Sequence, residues 1–350
     1  MPQIVQFNAP QDVALVDCAA QELFPGGVRV RTWYSGISAG TELTAYRGTN
    51  PYLTKTWDAN LRLFSEGGPT FGYPVAGWGY SEMGEVTEVG DDVEGVSVGE
   101  LVYGIWGHRS DAVVPQAMVR GRTLARPEDA LTGTFARVGA IALNAVLAAD
   151  VRLGDNVVVF GQGVIGLLAT RLAVLSGGRA IAVDGSESRL QVAGELGASD
   201  AVSATVVGGA GATVRGLTGG AGADSAIELS GSYRALHEAT RSVVVEGTVV
   251  ASGFYQGGAE QLRLGEEFHH NRVRLVASQI SGTPLVLGAR WDRKRLVSVF
   301  MEQALAGRVD VSRLVTDVVD AGAVASAFAR LDAGDPEVLQ CVLRFDAAPR

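Results

Sequence analysis

Glycines 161, 163 and 166 lie within the stretch NVVVFGQGVIGLLATRLAVLSGGRAIAVD, Asn156 to Asp184, at the spacing that receives a pyrophosphate. Gly161 permits a tight turn, Gly163 lets backbone approach the phosphates, and Gly166 lets a helix sit close on a strand. Val164 and Ile165, between the last two glycines, open a helix whose unpaired N–H groups and positive dipole end favour an anion. Asp184 follows Gly166 by 18 residues, where a carboxylate can hydrogen-bond the adenosine ribose hydroxyls. A carboxylate there repels a 2′-phosphate, which favours NAD over NADP. Arg189 is the residue that could pair with that phosphate; its plainer role is on a solvated helix face.

Two histidines could move protons near neutral pH. His108 follows a strand and a glycine in YGIWGHRSDAVV, where a surface-loop residue is the plainer reading. His269 stands beside His270 before the strand RVRLVASQI; it reads equally as a substrate contact or an exposed helix end, and His270 as the latter. Trp57, in a long segment from Tyr46 to Phe71 without clear period, could cover the apolar face of a sugar ring. Tyr46 and Lys55 are weaker pocket candidates there. A loop of that length is usually functional or mobile.

The elements that must carry these groups form two sets. Residues 1 to about 125 are β-rich, with alternating, β-branched runs such as VRVRTWYSGIS and GEVTEVG. A helical pattern, TFARVGAIALNAVLAA, leads into the apolar strand Val157 to Phe160. Strands and helices then alternate to about Ile280, which predicts a parallel sheet with helices on both faces. GGAGATVRGLTGGAGA reads as a glycine-rich turn, Trp291 to Ala306 as a helix, and VLQCVLRF as a strand returning to the first domain.

Composition narrows the function. A formal charge of −9 without a basic stretch argues against nucleic acid. Two cysteines, Cys18 and Cys341, exclude a disulfide framework and a cysteine-rich zinc lobe. MPQIVQFNAP has no charged n-region or apolar h-region. The uncharged run Asn156 to Thr170 is shorter than the ~18 residues of a membrane helix. A cytoplasmic protein without membrane association is expected.

SGISAGTEL resembles the GICGTDL segment of the medium-chain dehydrogenase/reductase superfamily. FGYPVAGWGYSEMGEVTEVGDDVEGVSVGELV resembles its signature GHExxGxVxxVGxxVxxxxxGDxV, and VRLGDNVVVFGQGVIGLL its entry to the nucleotide domain. The resemblance implies an α/β protein: a GroES-like β-rich domain over 1–127, completed by 287–350, and a Rossmann doubly wound parallel sheet over 128–286. FHHNRVRLVASQ, with GISAGTE and the FGY motif, is similar to the bacteriochlorophyllide dehydrogenase-like and polyol dehydrogenase-like branch. The resemblance also implies that Ser230, Gly253, Ser278 and Ile280 flank the cofactor, and that a homodimer pairs through RVRLVASQI.

Departures from that pattern define the chemistry. The family's zinc-binding cysteine falls on Ser38 or Ala39, its His-Glu on Tyr73-Pro74, and its third ligand position on Arg137. Zinc needs about three ligands from Cys, His, Asp or Glu, so no metal is expected. Tyr73 and Arg137 are then the candidates for acid/base work and oxyanion stabilisation, or a pair that fills the vacated cavity. A cation beside a phenol lowers its pKa. Thr41 matches the family hydroxyl that bonds the reacting alcohol or caps a turn, and Glu42 the acid that supports this loop. The expectation is a zinc-independent NAD(P)-dependent oxidoreductase interconverting a secondary alcohol and ketone on a small polar sugar, cyclitol or polyol. A zinc-free quinone or enoyl C=C reductase, or a cofactor-binding protein without turnover, are the alternatives.

Overall fold

The computed structural model describes residues 1–348. The chain forms two compact units, Met1–Arg137 with the segment from Val311 onward, and Val138–Asp310. No single helix among the described residues is long and apolar enough to cross a membrane.

The first unit is β-rich. Its main sheet runs Thr123–Leu124, Leu101–Gly104, Glu82–Val89, Gly27–Gly36, Gln340–Arg344, Val315–Asp320, and Asp111–Pro115 also pairs with Gly27–Gly36. Gln340–Arg344 pairs antiparallel with Gly27–Gly36, so the last strand does return to the first domain. Val28, Val30, Val86, Val102, Ala112 and Val114 interlock on one side of these strands, as β-branched residues on a pleated surface do. The pairing of Gly27–Gly36 with Glu82–Val89 shifts between Thr32 and Tyr34 and then sets Ser35 opposite Glu82.

The second unit is a six-stranded parallel sheet ordered Asp200–Ser203, Arg179–Asp184, Asn156–Phe160, Ala223–Glu228, Val243–Ala251, Arg274–Ala277. The order reverses direction at Asn156–Phe160, the switch point where such sheets bind ligands. Its strands read as apolar runs because both faces are covered.

Three expectations change. The tract GGAGATVRGLTGGAGA contains a helix, Ala210–Leu217. Glu238 accepts from the Gly211 N–H at 2.7 Å, satisfying a helix-start donor from outside the helix. The segment after Tyr46 is not structureless: strands Thr56–Asp58 and Leu63–Ser65 form a hairpin. Residues 287–310 group with the parallel-sheet unit. There Phe300 of the helix Arg293–Leu305 lies where a side chain on Gly139 would go.

Candidate active site

The glycine turn follows the strand Asn156–Phe160. Gly161 has φ +86°, and a Cβ there would lie 2.7 Å from the Ser230 nitrogen. A Cβ on Gly166 would run into the Gly161 carbonyl oxygen, whereas Gly163 has open space around it. Gly163 caps the helix Val164–Leu175, with Val164 and Ile165 half-buried in its first turn. Such a turn, open where backbone meets ligand and closed where helix meets strand, fits a dinucleotide pyrophosphate.

Gln162, which the motif leaves as an arbitrary residue, locks this turn. It is buried; its Nε2 donates to Val159 O at 2.8 Å, and its Oε1 accepts from Thr170 Oγ1 at 3.0 Å. Asp184 ends the strand Arg179–Asp184 and accepts from Gln162 N at 2.6 Å and Ser186 N at 2.8 Å. Both contacts fix the carboxylate beside the turn. Arg189 lies half-buried in the first turn of the following helix, Glu187–Glu195.

Ser230 and Gly253 converge on a residue that sequence reasoning missed. Glu228 is fully buried at the end of its strand and accepts from Ser230 N at 2.8 Å, Gly231 N at 3.2 Å, and the Ser230 and Tyr255 hydroxyls. Burial still holds its carboxyl above the ordinary range. Gly253 packs so close to Gly231 that no side chain fits. Ser278 and Ile280 are buried, and Ser278 Oγ accepts from Asn144 Nδ2 at 3.2 Å.

A second group of side chains gathers in the β-rich unit. The Ser38 and Tyr80 hydroxyls are hydrogen-bonded to each other, and Thr41 N–H donates to Ser38 Oγ at 3.4 Å. Tyr80 also bonds the Thr41 side chain and feels the charge of Arg137, at the start of the helix Ala136–Ala148. Ser38 is buried while Ala39 is exposed, so Ser38 takes the position that the sequence divided between them.

Tyr73 does not join this group through its hydroxyl, which donates to the Ala45 carbonyl. Its ring packs on the apolar cluster that includes Val75 and Leu343, and burial raises its pKa, where a lowered one was expected. The difference is one of register. Counted back from Val89-Gly90, the signature GHExxGxVxxVG lays its GHE on Gly79-Tyr80-Ser81, seven residues after Gly72-Tyr73-Pro74. Tyr80 is therefore the phenol at the former ligand position and the neighbour of Arg137.

Tyr80 has its pKa raised above the ordinary phenol value, first by burial and then by the negative charge of Glu42. Its bonds to Ser38 and Thr41 and the Arg137 charge act the other way without prevailing. The group is held as a neutral hydroxyl, a proton donor. Two mutually bonded hydroxyls and a guanidinium are not a zinc donor set.

His108 is not a surface residue: it is fully buried. The backbone holds its loop, with His108 N–H donating to Trp78 O at 3.0 Å and His108 O accepting from Val5 N at 2.8 Å. Its Nε2 meets Glu42 Oε2 at 2.7 Å and its Nδ1 meets Ser35 Oγ at 2.6 Å.

The other candidates have different surroundings. His269 is exposed, edge-on to His270 at 5.4 Å. Tyr46 is buried and stacks on Phe328 at 5.6 Å, which makes it core. Lys55 pairs with Glu66 at 2.6 Å, and Trp57 packs on Phe64 at 4.8 Å within the hairpin.

The chain is similar to known dehydrogenases. Residues 164–291 match the family model described as zinc-binding dehydrogenase. D-guloside 3-dehydrogenase of Escherichia coli K12 is 29% identical over 321 residues, covering 89% of this chain and 91% of that protein. The crystal structure of 2R,3R-butanediol dehydrogenase from Bacillus subtilis superposes with a TM-score of 0.78 at 22% identity, covering 98% of this chain and 99% of that one. A short chain alcohol dehydrogenase from E. coli CFT073, complexed with NADH, gives a TM-score of 0.78 at 19% identity, with coverage of 98% and 99%.

Proposed function

The chain belongs to the medium-chain dehydrogenase/reductase superfamily of alcohol dehydrogenases and reductases, and on that premise we propose that it interconverts a secondary alcohol and a ketone on a polar substrate without zinc. The observation that carries this reading is the Ser38–Tyr80 hydroxyl pair beside Arg137, standing where the family pattern has metal ligands. A sugar, cyclitol or polyol is the substrate class. The name of the D-guloside 3-dehydrogenase relative supports it.

Gly161 to Gly166 would hold the pyrophosphate and Asp184 the adenosine ribose, which favours NAD. A nicotinamide held there would supply or accept the hydride. The side chains manage the oxygen. Tyr80 Oη gives its proton to the carbonyl oxygen as negative charge builds there, and takes a proton back in the alcohol-oxidising direction. Arg137 stays charged and stabilises the oxyanion. Ser38 and Thr41 orient the phenol.

The same reading places the protein in the cytoplasm, supported by two free cysteines. It takes the chain as a homodimer joined along Arg274–Ala277, an exposed edge strand bearing Leu275 and Val276. The test is NADH oxidation by purified protein of measured metal content, screened against ketosugars, quinones and enones. Ketosugar turnover without zinc is expected. Stoichiometric zinc, or turnover confined to quinones or enones, would refute the proposal.

A further inference from the structure

Beside Tyr80 the fold buries four polar side chains from four separate segments: Ser35, Glu42, Glu82 and His108. They form one line. Glu42 Oε2 meets His108 Nε2 at 2.7 Å, and His108 Nδ1 meets Ser35 Oγ at 2.6 Å. Ser35 Oγ meets Glu82 Oε1 at 3.1 Å, and Glu82 Oε2 accepts from Trp106 N at 2.8 Å. Two buried carboxylates on one imidazole need at least one proton between them, because unpaired buried charge is costly. With that proton on the ring, both ring nitrogens donate, to Glu42 and to Ser35, and the Ser35 hydroxyl donates to Glu82.

The far end of the line is the catalytic turn. Glu42 opens the helix Glu42–Arg47, and its N–H donates to Ser38 O at 3.1 Å. Ser38 and Thr41 are the hydroxyls that bond Tyr80. Fixing Glu42 therefore fixes both partners of the phenol.

We infer that His108 is a positioning residue, and that the line Glu42–His108–Ser35–Glu82 is a clamp holding the Ser38–Thr41 turn against Tyr80 only while it carries its shared proton. The inference rests on the reading of Tyr80 as the proton donor. Glu42 and Glu82 face the imidazole from the helix and the strand, and Tyr80 feels the charges of both Glu42 and Arg137. Burial alone would lower the imidazole pKa, but Glu42 and then Glu82 outweigh it and hold it above the ordinary value. Glu82 is raised as well, by burial, with the His108 charge acting the other way.

Two measurements on the full-length protein decide this. The first is an NMR pH titration of the His108 ring, assigned with His108→Gln. The second is the pH profile of kcat for the wild type, His108→Gln and Glu82→Gln, with KM for NADH read alongside. The wild type should lose kcat, with KM for NADH unchanged, as the pH passes the elevated ionisation seen on the ring. His108→Gln keeps a side-chain N–H but no charge; it should lower kcat about tenfold, the worth of one charge-assisted hydrogen bond, and remove that limb. Glu82→Gln should move the limb to lower pH. A ring that titrates at the ordinary imidazole value would overturn the clamp, as would a limb unmoved in both variants. Tyr80→Phe with full turnover would instead remove the donor role, while leaving the ring titration as it stands.

Discussion

The hydroxyl of Tyr80 and the hydroxyl of Ser38 share a hydrogen bond at the two positions where the family signature carries histidine and cysteine. With the Arg137 charge acting on Tyr80, the three positions that would grip a metal hold two hydroxyls and a cation, which the proposed reading takes as an acid, its orienting partner and an oxyanion stabiliser. Zinc would polarise the substrate oxygen as a Lewis acid. On the proposed reading, a proton from Tyr80 and the charge of Arg137 divide that work.

The nucleotide turn makes a paired prediction. Gly166→Ala forces a methyl into the Gly161 carbonyl, so it should destabilise the folded protein, read as a lower denaturation midpoint. Gly163→Ala meets nothing. It should leave the midpoint within about 0.5 kcal/mol of wild type yet weaken NADH binding in a fluorescence titration, because its methyl would enter the open space proposed for the pyrophosphate. Equal effects of the two would contradict the division of roles.

On the proposed reading cofactor choice rests on Asp184, whose carboxylate is fixed by the Gln162 and Ser186 N–H groups. Asp184→Ser removes the charge that repels a 2′-phosphate. The ratio of NADPH to NADH in kcat/KM should rise by about tenfold or more, the worth of ~1.4 kcal/mol. An unchanged ratio would move the determinant elsewhere.

Stability should fall as pH rises through the buried His108 cluster. His108 has a folded pKa above its unfolded value, so its contribution is complete below the ordinary imidazole pKa and is lost as pH passes the raised one. Glu82, also raised, acts in the same direction between the ordinary carboxylate range and its own folded value. Urea midpoints measured across pH should show the decline, and Glu82→Gln should reduce it. His108→Ala should cost about 3–5 kcal/mol, the usual loss when one partner of a buried ion pair is removed.

Thiol chemistry should separate the two cysteines. Burial pushes the Cys341 thiol up to about 12, with the Asp317 charge adding to it. A thiol held so far above neutrality resists alkylation. Native protein should therefore label at Cys18 alone, and both should label after denaturation. Fast native labelling at Cys341 would mean that its strand opens readily.

The nucleotide half was legible because its signal is local. Gly161, Gly163, Gly166 and Asp184 are read from spacing alone: Gly166 answers to the Gly161 carbonyl within the same turn, Gly163 to open space, and Asp184 to the Gln162 N–H. The helix Ala210–Leu217 was hidden because its flanking glycines look like a turn. The Glu238 group that satisfies its first turn lies 27 residues downstream. The burial of His108 was equally hidden, since its partners Ser35 and Glu42 lie 73 and 66 residues away. Tyr80 was legible in principle. Aligning the signature from Gly84 and Val86 reaches it, whereas anchoring on the FGY motif stops seven residues short.

The most direct test is the turnover of Tyr80→Phe in protein of measured metal content, with NADH binding followed in the same preparation. Removing a positioned general acid should reduce kcat by roughly 10²–10⁴-fold and leave NADH affinity intact. Full turnover by Tyr80→Phe, or activity that tracks bound zinc, would contradict it.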